Sequence, residues 1–170
     1  MEIEVVNRQH VARVDRSTVR KYVAYLMGRV ACLAPGRQWG EISIVLMDDA
    51  GIASVNCRHF RRRAPTDVIS FRFDPLPGEE GRNSGDVLVN VERALEEGLR
   101  RQRGPAGWDF SRELALYLAH GCDHLAGAKD DTPAGRTRMR RRELRWLRKA
   151  PTGGPGFTLL APVRKHDREN

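Results

Sequence analysis

The chain has 170 residues, 40% of them hydrophobic and 31% charged, with 30 Lys+Arg against 22 Asp+Glu for a formal charge of +8. That length fits one domain with a proper core, and the apolar share excludes a disordered chain. No apolar run approaches the roughly 20 residues that cross a bilayer. "MEIEVVNRQH" lacks the apolar segment of a signal peptide, and Cys32, Cys57 and Cys122 show no paired spacing that would imply a disulfide framework. The expectation is a cytoplasmic protein with no membrane association. Arg supplies nearly all of the positive charge, and its planar fork suits phosphate contact, so RNA is the natural partner.

In chain order, "MEIEVVN" alternates apolar and polar residues and reads as a strand. From Asp15 to about Leu33 the spacing of Val19, Tyr22, Val23, Leu26 and Val30 predicts a helix, stopped by Pro35-Gly36. "EISIVLM", 41 to 47, is a β-branched strand, after which Asp48-Asp49 caps a short helix running to about Cys57. A basic loop, "CRHFRRRAP", leads to a strand at 68 to 73 and then to the turn-rich "PLPGEEGRNSG". A strand at 86 to 91 runs into the charged helix "ERALEEGLRRQR", and Gly104-Pro105 and Gly107 form a break.

Residues 109 to 125 are apolar on most sides, which predicts a helix buried in the middle of the fold. The final helix, from about Pro133 to Ala150, carries Met139, Trp146, Leu147 and Ala150 on one stripe and a dense set of arginines elsewhere. Glu143 falls inside that stripe, where it needs a partner such as a neighbouring Arg. "PTGGPGF" then reads as a linker and "RKHDREN" as a solvated tail. The fold class is α+β: a small mixed β-sheet covered by helices, one domain over 1–150 and a flexible tail over 151–170.

The buried helix carries the chemistry. In "HGCDHLAGAKDD", 120 to 131, His120 and His124 are one turn apart and can offer imidazole nitrogens to one ion. Gly127 suits a helix C-terminus and turns the chain back, so that Asp130 or Asp131 can supply an oxygen as third ligand. Three protein ligands leave one position for water, the arrangement of a catalytic zinc. Gly121 stands where a H-E-x-x-H peptidase has its glutamate, which argues against that chemistry. Glu113 and Tyr117 share the histidines' face, Tyr117 as core packing; Asp123 points off it and reads as a supporting or surface group.

With these residues in place the chain resembles the YbeY family of bacterial rRNA maturation factors, which are metal-dependent endoribonucleases. "HGCDHLAGAKD" is similar to the signature H-G-x-L-H-L-x-G-Y-D-H, "TDVISFRF" at 66 to 73 to T-D-V-L-S-F-P-F, and "GDVLVNVERALEE" at 85 to 97 to G-D-I with its following helix. Met139 and Glu143 match a Met and a Glu spaced four apart in the family's last helix. The three motifs occur in order and cover most of residues 41 to 150.

The resemblance implies an α+β fold with one Zn2+ per chain. It further implies cleavage of single-stranded RNA in maturation of the 16S rRNA 3' end and in ribosome quality control. The partners it implies are ribosomal RNA and the small subunit with its proteins. It carries two zinc ligands onto His120 and His124, and the family's third histidine aligns with Asp130, with Asp131 as the fallback. A carboxylate in place of a neutral His lowers the net charge of the site by one, which makes a bound water less acidic. Leu of the signature is Asp123, Tyr-Asp is Ala128-Lys129, and the Pro of S-F-P is Arg72.

The family's functional Arg position holds Phe60. Of the flanking Arg58, Arg61, Arg62 and Arg63, Arg61 is the first choice as the catalytic cation, with Arg58 next. Asp67 and Asp86 are candidates for support near the cleft, and the Arg-rich last helix for backbone contact with RNA. The expected mechanism pairs a metal that polarises water or a phosphate oxygen with an arginine that stabilises developing charge. A non-catalytic RNA-binding assembly factor with a structural or degenerate metal site is the alternative, and a hydrolase of small phosphoesters or peptides a third.

Overall fold

A computed structural model describes residues 1–76, 81–102, 108–151 and 159–162, with residues 160–162 described by backbone alone. The elements are β1 (Glu2–Asn7), β2 (Ala12–Val14), α1 (Arg16–Leu33), β3 (Trp39–Met47), α2 (Asp49–Phe60), β4 (Val68–Phe73), β5 (Asn83–Asn90), α3 (Val91–Arg101), α4 (Phe110–Leu125), α5 (Pro133–Lys149) and β6 (Leu160–Pro162). The main sheet has the order β1-β3-β5-β4, with β1, β3 and β5 parallel and β4 antiparallel to β5. The architecture is α+β with a mixed sheet, as the sequence predicts.

Alternation along the strands sets what each face covers. Ile42, Ile44, Leu46, Val87 and Val89 face the large core that α1 and α4 fill from above, with Tyr22, Leu26, Leu114 and Leu118 fully buried in it. Residues in the opposite phase, Leu88 and Ile69, join Ile52 of α2 in a smaller cluster on the other face. Each helix among the described residues begins on a capping side chain: Asp15, Asp48, Asn90, Asp109 and Thr132 each accept a hydrogen bond from a backbone N–H of the first turn. Asn90 is fully buried and also donates to the Thr66 carbonyl and to Asp49, so it ties α2, the loop before β4 and α3 at one point.

The structure departs from the sequence reading in three places. Helix α2 runs to Phe60, three residues past the expected end. Strand β5 begins at Asn83 rather than 86, pairing with Trp39 and with β4 through part of the expected loop. The folded unit also continues beyond Ala150. The backbone of β6 pairs antiparallel with β2, Leu159 is fully buried, and its N–H and carbonyl bond Ser111 Oγ (3.2 Å) and the Asp15 N–H (3.1 Å). The rest of the expected linker and tail, 152–158 and 163–170, lies outside the described residues, as does the Gly104–Gly107 break. Among the described residues no helix is long and apolar enough to cross a membrane.

Candidate metal centre

Helix α4 runs through the middle of the fold because almost every side it presents is apolar or small. Gly121 is the point of closest approach. A Cβ there would overlap Val87 Cγ1 and lie 3.0 Å from Val68 Cγ2, and the Gly121 carbonyl accepts from Ser70 Oγ at 3.1 Å. No side chain fits at that position, which is why the H-E-x-x-H glutamate cannot stand there. The helix rests directly on β4 and β5, and the histidines on either side of Gly121 are held by that contact.

Gly127 ends the helix with φ +95°, a left-handed conformation that glycine adopts without strain. Its N–H bonds the His124 carbonyl (2.9 Å) and the Ala128 N–H bonds the Asp123 carbonyl (3.2 Å), so the chain folds back along the helix end. Asp130 returns to the histidines. Its Oδ2 lies 3.7 Å from His120 Nε2, its Oδ1 lies 3.9 Å from His124 Nε2, and the two Nε2 atoms are 3.1 Å apart. The Nε2–Nε2 separation is close to the edge of a tetrahedron about a zinc ion, about 3.3 Å for bonds near 2.0 Å, and the two carboxylate oxygens stand somewhat further out. His120, His124 and Asp130 form a group that could hold a metal ion; Asp131 is exposed and not part of it.

The tautomers agree with that use. His124 Nδ1 lies 3.0 Å from the Ala128 carbonyl, which can only accept, so Nδ1 carries the proton. His120 Nδ1 donates to Glu143 Oε1 at 2.7 Å. With both protons on the outer nitrogens, two Nε2 lone pairs face each other across 3.1 Å. That is unfavourable unless a cation or a proton sits between them, and outer hydrogen bonds of this kind orient metal-binding histidines. Burial pulls the His120 pKa down, but the hydrogen bond and charge of Glu143 outweigh it and raise the pKa above its ordinary value.

Glu143 therefore has a different partner from the one its surroundings suggested. It is buried, and it holds a histidine rather than an arginine. Asp123 is likewise not a surface group: it is fully buried, and Oδ2 accepts from Arg142 Nε (2.9 Å) and Nη2 (2.7 Å), joining α4 to α5. Glu113 is taken up by Arg101 Nη1 (2.9 Å) and Trp108 Nε1 (2.8 Å), and burial raises the Tyr117 pKa.

Two cavities meet at Asp130. One, of about 570 Å3, is walled by His120, Asp67, Glu143 and the arginines 101, 136 and 140. Arg140 is half-buried there, with its pKa lowered by burial and by Arg101. The other, of about 460 Å3, is walled by His124, Ser70, Thr66, Phe60 and Arg62. Asp67 stands on the first cavity, its Oδ1 accepting from Thr66 Oγ1 and the Val68 N–H. Asp86 lines neither cavity; it lies on β5 opposite Ser43 and Phe71, and burial raises its pKa.

In the basic loop, the arginine on the cavity wall is the neighbour of the one chosen from the sequence. Arg61 is the C-cap of α2 with φ 57°, and neither it nor Arg58 lines either cavity. The left-handed turn at Arg61 redirects the chain, and Arg62 is the arginine that reaches the cavity shared with His124 and Asp130. Arg140, Arg136 and Arg101 were outside the sequence prediction except as members of a charged face. For Arg136 and Arg140 the signal is the phase of the last helix relative to Glu143, which needs the position of α4 to be read; Arg101 ends α3 and its place depends on how that helix packs.

The profile of the family described as Endoribonuclease YbeY matches residues 4–150. The chain belongs to the YbeY family. An Endoribonuclease YbeY of Anaeromyxobacter sp. (strain Fw109-5) is 34% identical over 154 residues, covering 91% of this chain and 76% of that protein. One from Syntrophomonas wolfei is 29% identical over 159 residues, covering 88% and 97%. A Thermotoga maritima protein solved in solution shares the fold at TM-score 0.52 and 18% identity, covering 91% of this chain and 97% of that one.

Proposed function

We propose that this YbeY-family protein is a zinc-dependent endoribonuclease that cuts single-stranded segments of ribosomal RNA in small-subunit maturation and quality control, acting in the cytoplasm on the subunit and its proteins. The observation that carries the reading is the facing pair of Nε2 lone pairs on His120 and His124 with the Asp130 carboxylate beside them. Two nitrogens near a tetrahedral separation, with a carboxylate oxygen beside them, are a donor set suited to zinc, with a fourth position open toward the cavities.

Zinc bound there supplies a polarised water or a Lewis acid toward a phosphate oxygen. The chain's own residues do the rest. Glu143 and the Ala128 carbonyl hold the two imidazoles in the Nδ1–H tautomer and fix their rings. Arg62 on one side and Arg140 and Arg136 on the other put positive charge on both cavities, where the phosphates flanking the cut would lie and where charge develops during cleavage. An RNA strand crossing the centre would pass from one cavity to the other and meet arginines in both, Arg62 in one and Arg136 and Arg140 in the other, set among acids such as Asp67 and Asp130. Arginines spaced over two cavities fit a chain of several phosphates better than a peptide or a small phosphoester.

The experiment is cleavage of a single-stranded RNA and of the same sequence in duplex form, by protein loaded with zinc and by protein stripped with a chelator. Cutting of the single strand alone, lost on stripping and restored by zinc, is the expected result. Tight binding of RNA by loaded protein without any cleavage would replace this reading with that of an RNA-binding assembly factor.

A further inference from the structure

Phe60 stands where the family has an arginine, and the structure gives it surroundings that an arginine would not use. It is about half exposed (49%), although it is a large apolar side chain. Its ring is stacked on that of Phe71, with centroids 6.1 Å apart and planes 9° from parallel. His59 closes against Phe71 at 5.1 Å. Phe71 in turn packs on the small cluster of Ile52, Ile69 and Leu88, so the inner ring is anchored to the sheet and the outer one is left open. Phe60 is also a wall of the 460 Å3 cavity that contains Arg62, His124 and Asp130.

An aromatic face, fixed by a second ring beneath it, thus borders the metal centre inside a ring of exposed arginines (Arg58, Arg61, Arg62 and Arg63). We propose that Phe60 is a stacking platform for an unpaired RNA base next to the cleaved phosphate, with Arg62 holding the phosphate of that nucleotide. The proposal rests on the nuclease reading above and adds its specificity element. Every base has a flat face, so stacking of this kind tolerates sequence but requires a base that is not already stacked in a duplex. The loss of the family's arginine at this position then exchanges one phosphate contact for one base contact, with the charge kept two residues on at Arg62.

The alternative for Phe60 is a cover over Phe71 and the cluster below it. A binding cycle separates the two. The probe is a short single-stranded oligouridine with 2'-O-methyl sugars and phosphorothioate linkages, which hinder attack by the 2'-OH and by water, and with an abasic position moved along it one nucleotide at a time. Parent protein is expected to lose about tenfold in affinity when one particular base is removed, the size usual for one base on one aromatic ring. Phe60→Leu keeps an apolar cover and should bind the intact oligonucleotide about tenfold more weakly, with no further loss at that abasic position. Phe60→Trp should restore both binding and sensitivity to the missing base. A 5-iodouridine at the same position should photocrosslink to residue 60 in the parent.

Equal losses from the abasic position in parent and Phe60→Leu, or a crosslink that maps away from residues 59–71, would overturn the stacking site while leaving the nuclease reading intact. Failure of the parent to bind the intact oligonucleotide at all would overturn both.

Discussion

Glu143 Oε1 lies 2.7 Å from Nδ1 of His120, although the two residues stand on different helices and are 23 positions apart. Helix α5 therefore belongs to the candidate metal centre. Its buried carboxylate selects the tautomer that leaves Nε2 free, and removing it should loosen the ligand without touching the donor set. Glu143→Ala is expected to weaken zinc binding by about 10- to 100-fold, and Glu143→Gln, which keeps an acceptor oxygen, to recover most of it. Competition against a chelator of known affinity measures both. Equal affinity in all three proteins would remove Glu143 from the centre.

Gly121 should tolerate no side chain. A methyl group at this position meets Val87 and Val68, so α4 must lift off the sheet or the valines must move. Gly121→Ala is expected to cost about 1–3 kcal/mol in unfolding free energy. Because His120 and His124 flank it, metal affinity should fall as well. A variant with parent stability by denaturant unfolding would show that the contact is slack.

The buried Asp123, held by Arg142, stands at the position aligned with a leucine of the family signature. Removing one partner leaves a charge without compensation, so Arg142→Met is expected to destabilise by about 3 kcal/mol. The double variant Asp123→Leu/Arg142→Met should return close to the parent, since an apolar pair of similar volume avoids the cost of burying the charges. Thermal or urea unfolding of the three proteins checks the cycle. Additive losses in the double variant would contradict it.

Arg62 and Arg140 line the two cavities and Arg61 does not. Arg62→Gln and Arg140→Gln should each weaken RNA binding and reduce the slope of log affinity against log salt by about 0.7, the value for one phosphate contact on a single strand. Arg61→Gln should change neither by a comparable amount. A larger effect from Arg61 would return the catalytic cation to the residue that chain position alone selects.

Most of the fold was legible because its patterns are long. The 18 residues of α1 and the nine of β3 repeat their periods often enough to be read. The three-residue strands β2 and β6 do not, and their pairing joins positions about 150 apart, so the extension of the fold past Ala150 could not be seen. His120 and His124 were legible from a spacing that holds within one helix; the glycine that turns the chain back left Asp130 and Asp131 both open, and the resemblance to the family signature put Asp130 first. Glu143, Asp123, Arg62 and Arg140 were misplaced or missed for one reason. Each depends on how a second element packs on α4 or on a single left-handed residue, and neither leaves a periodic trace.

The most direct test is zinc content per chain in the parent and in Asp130→Ala and Asp131→Ala, each purified with zinc present and without chelators. About one zinc in the parent and in Asp131→Ala, with loss in Asp130→Ala, is the predicted result, since the returning loop brings only Asp130 to the two Nε2 atoms. A parent that holds no zinc, or an Asp130→Ala variant that holds it as tightly as the parent, would contradict the three-ligand centre on which the functional account stands.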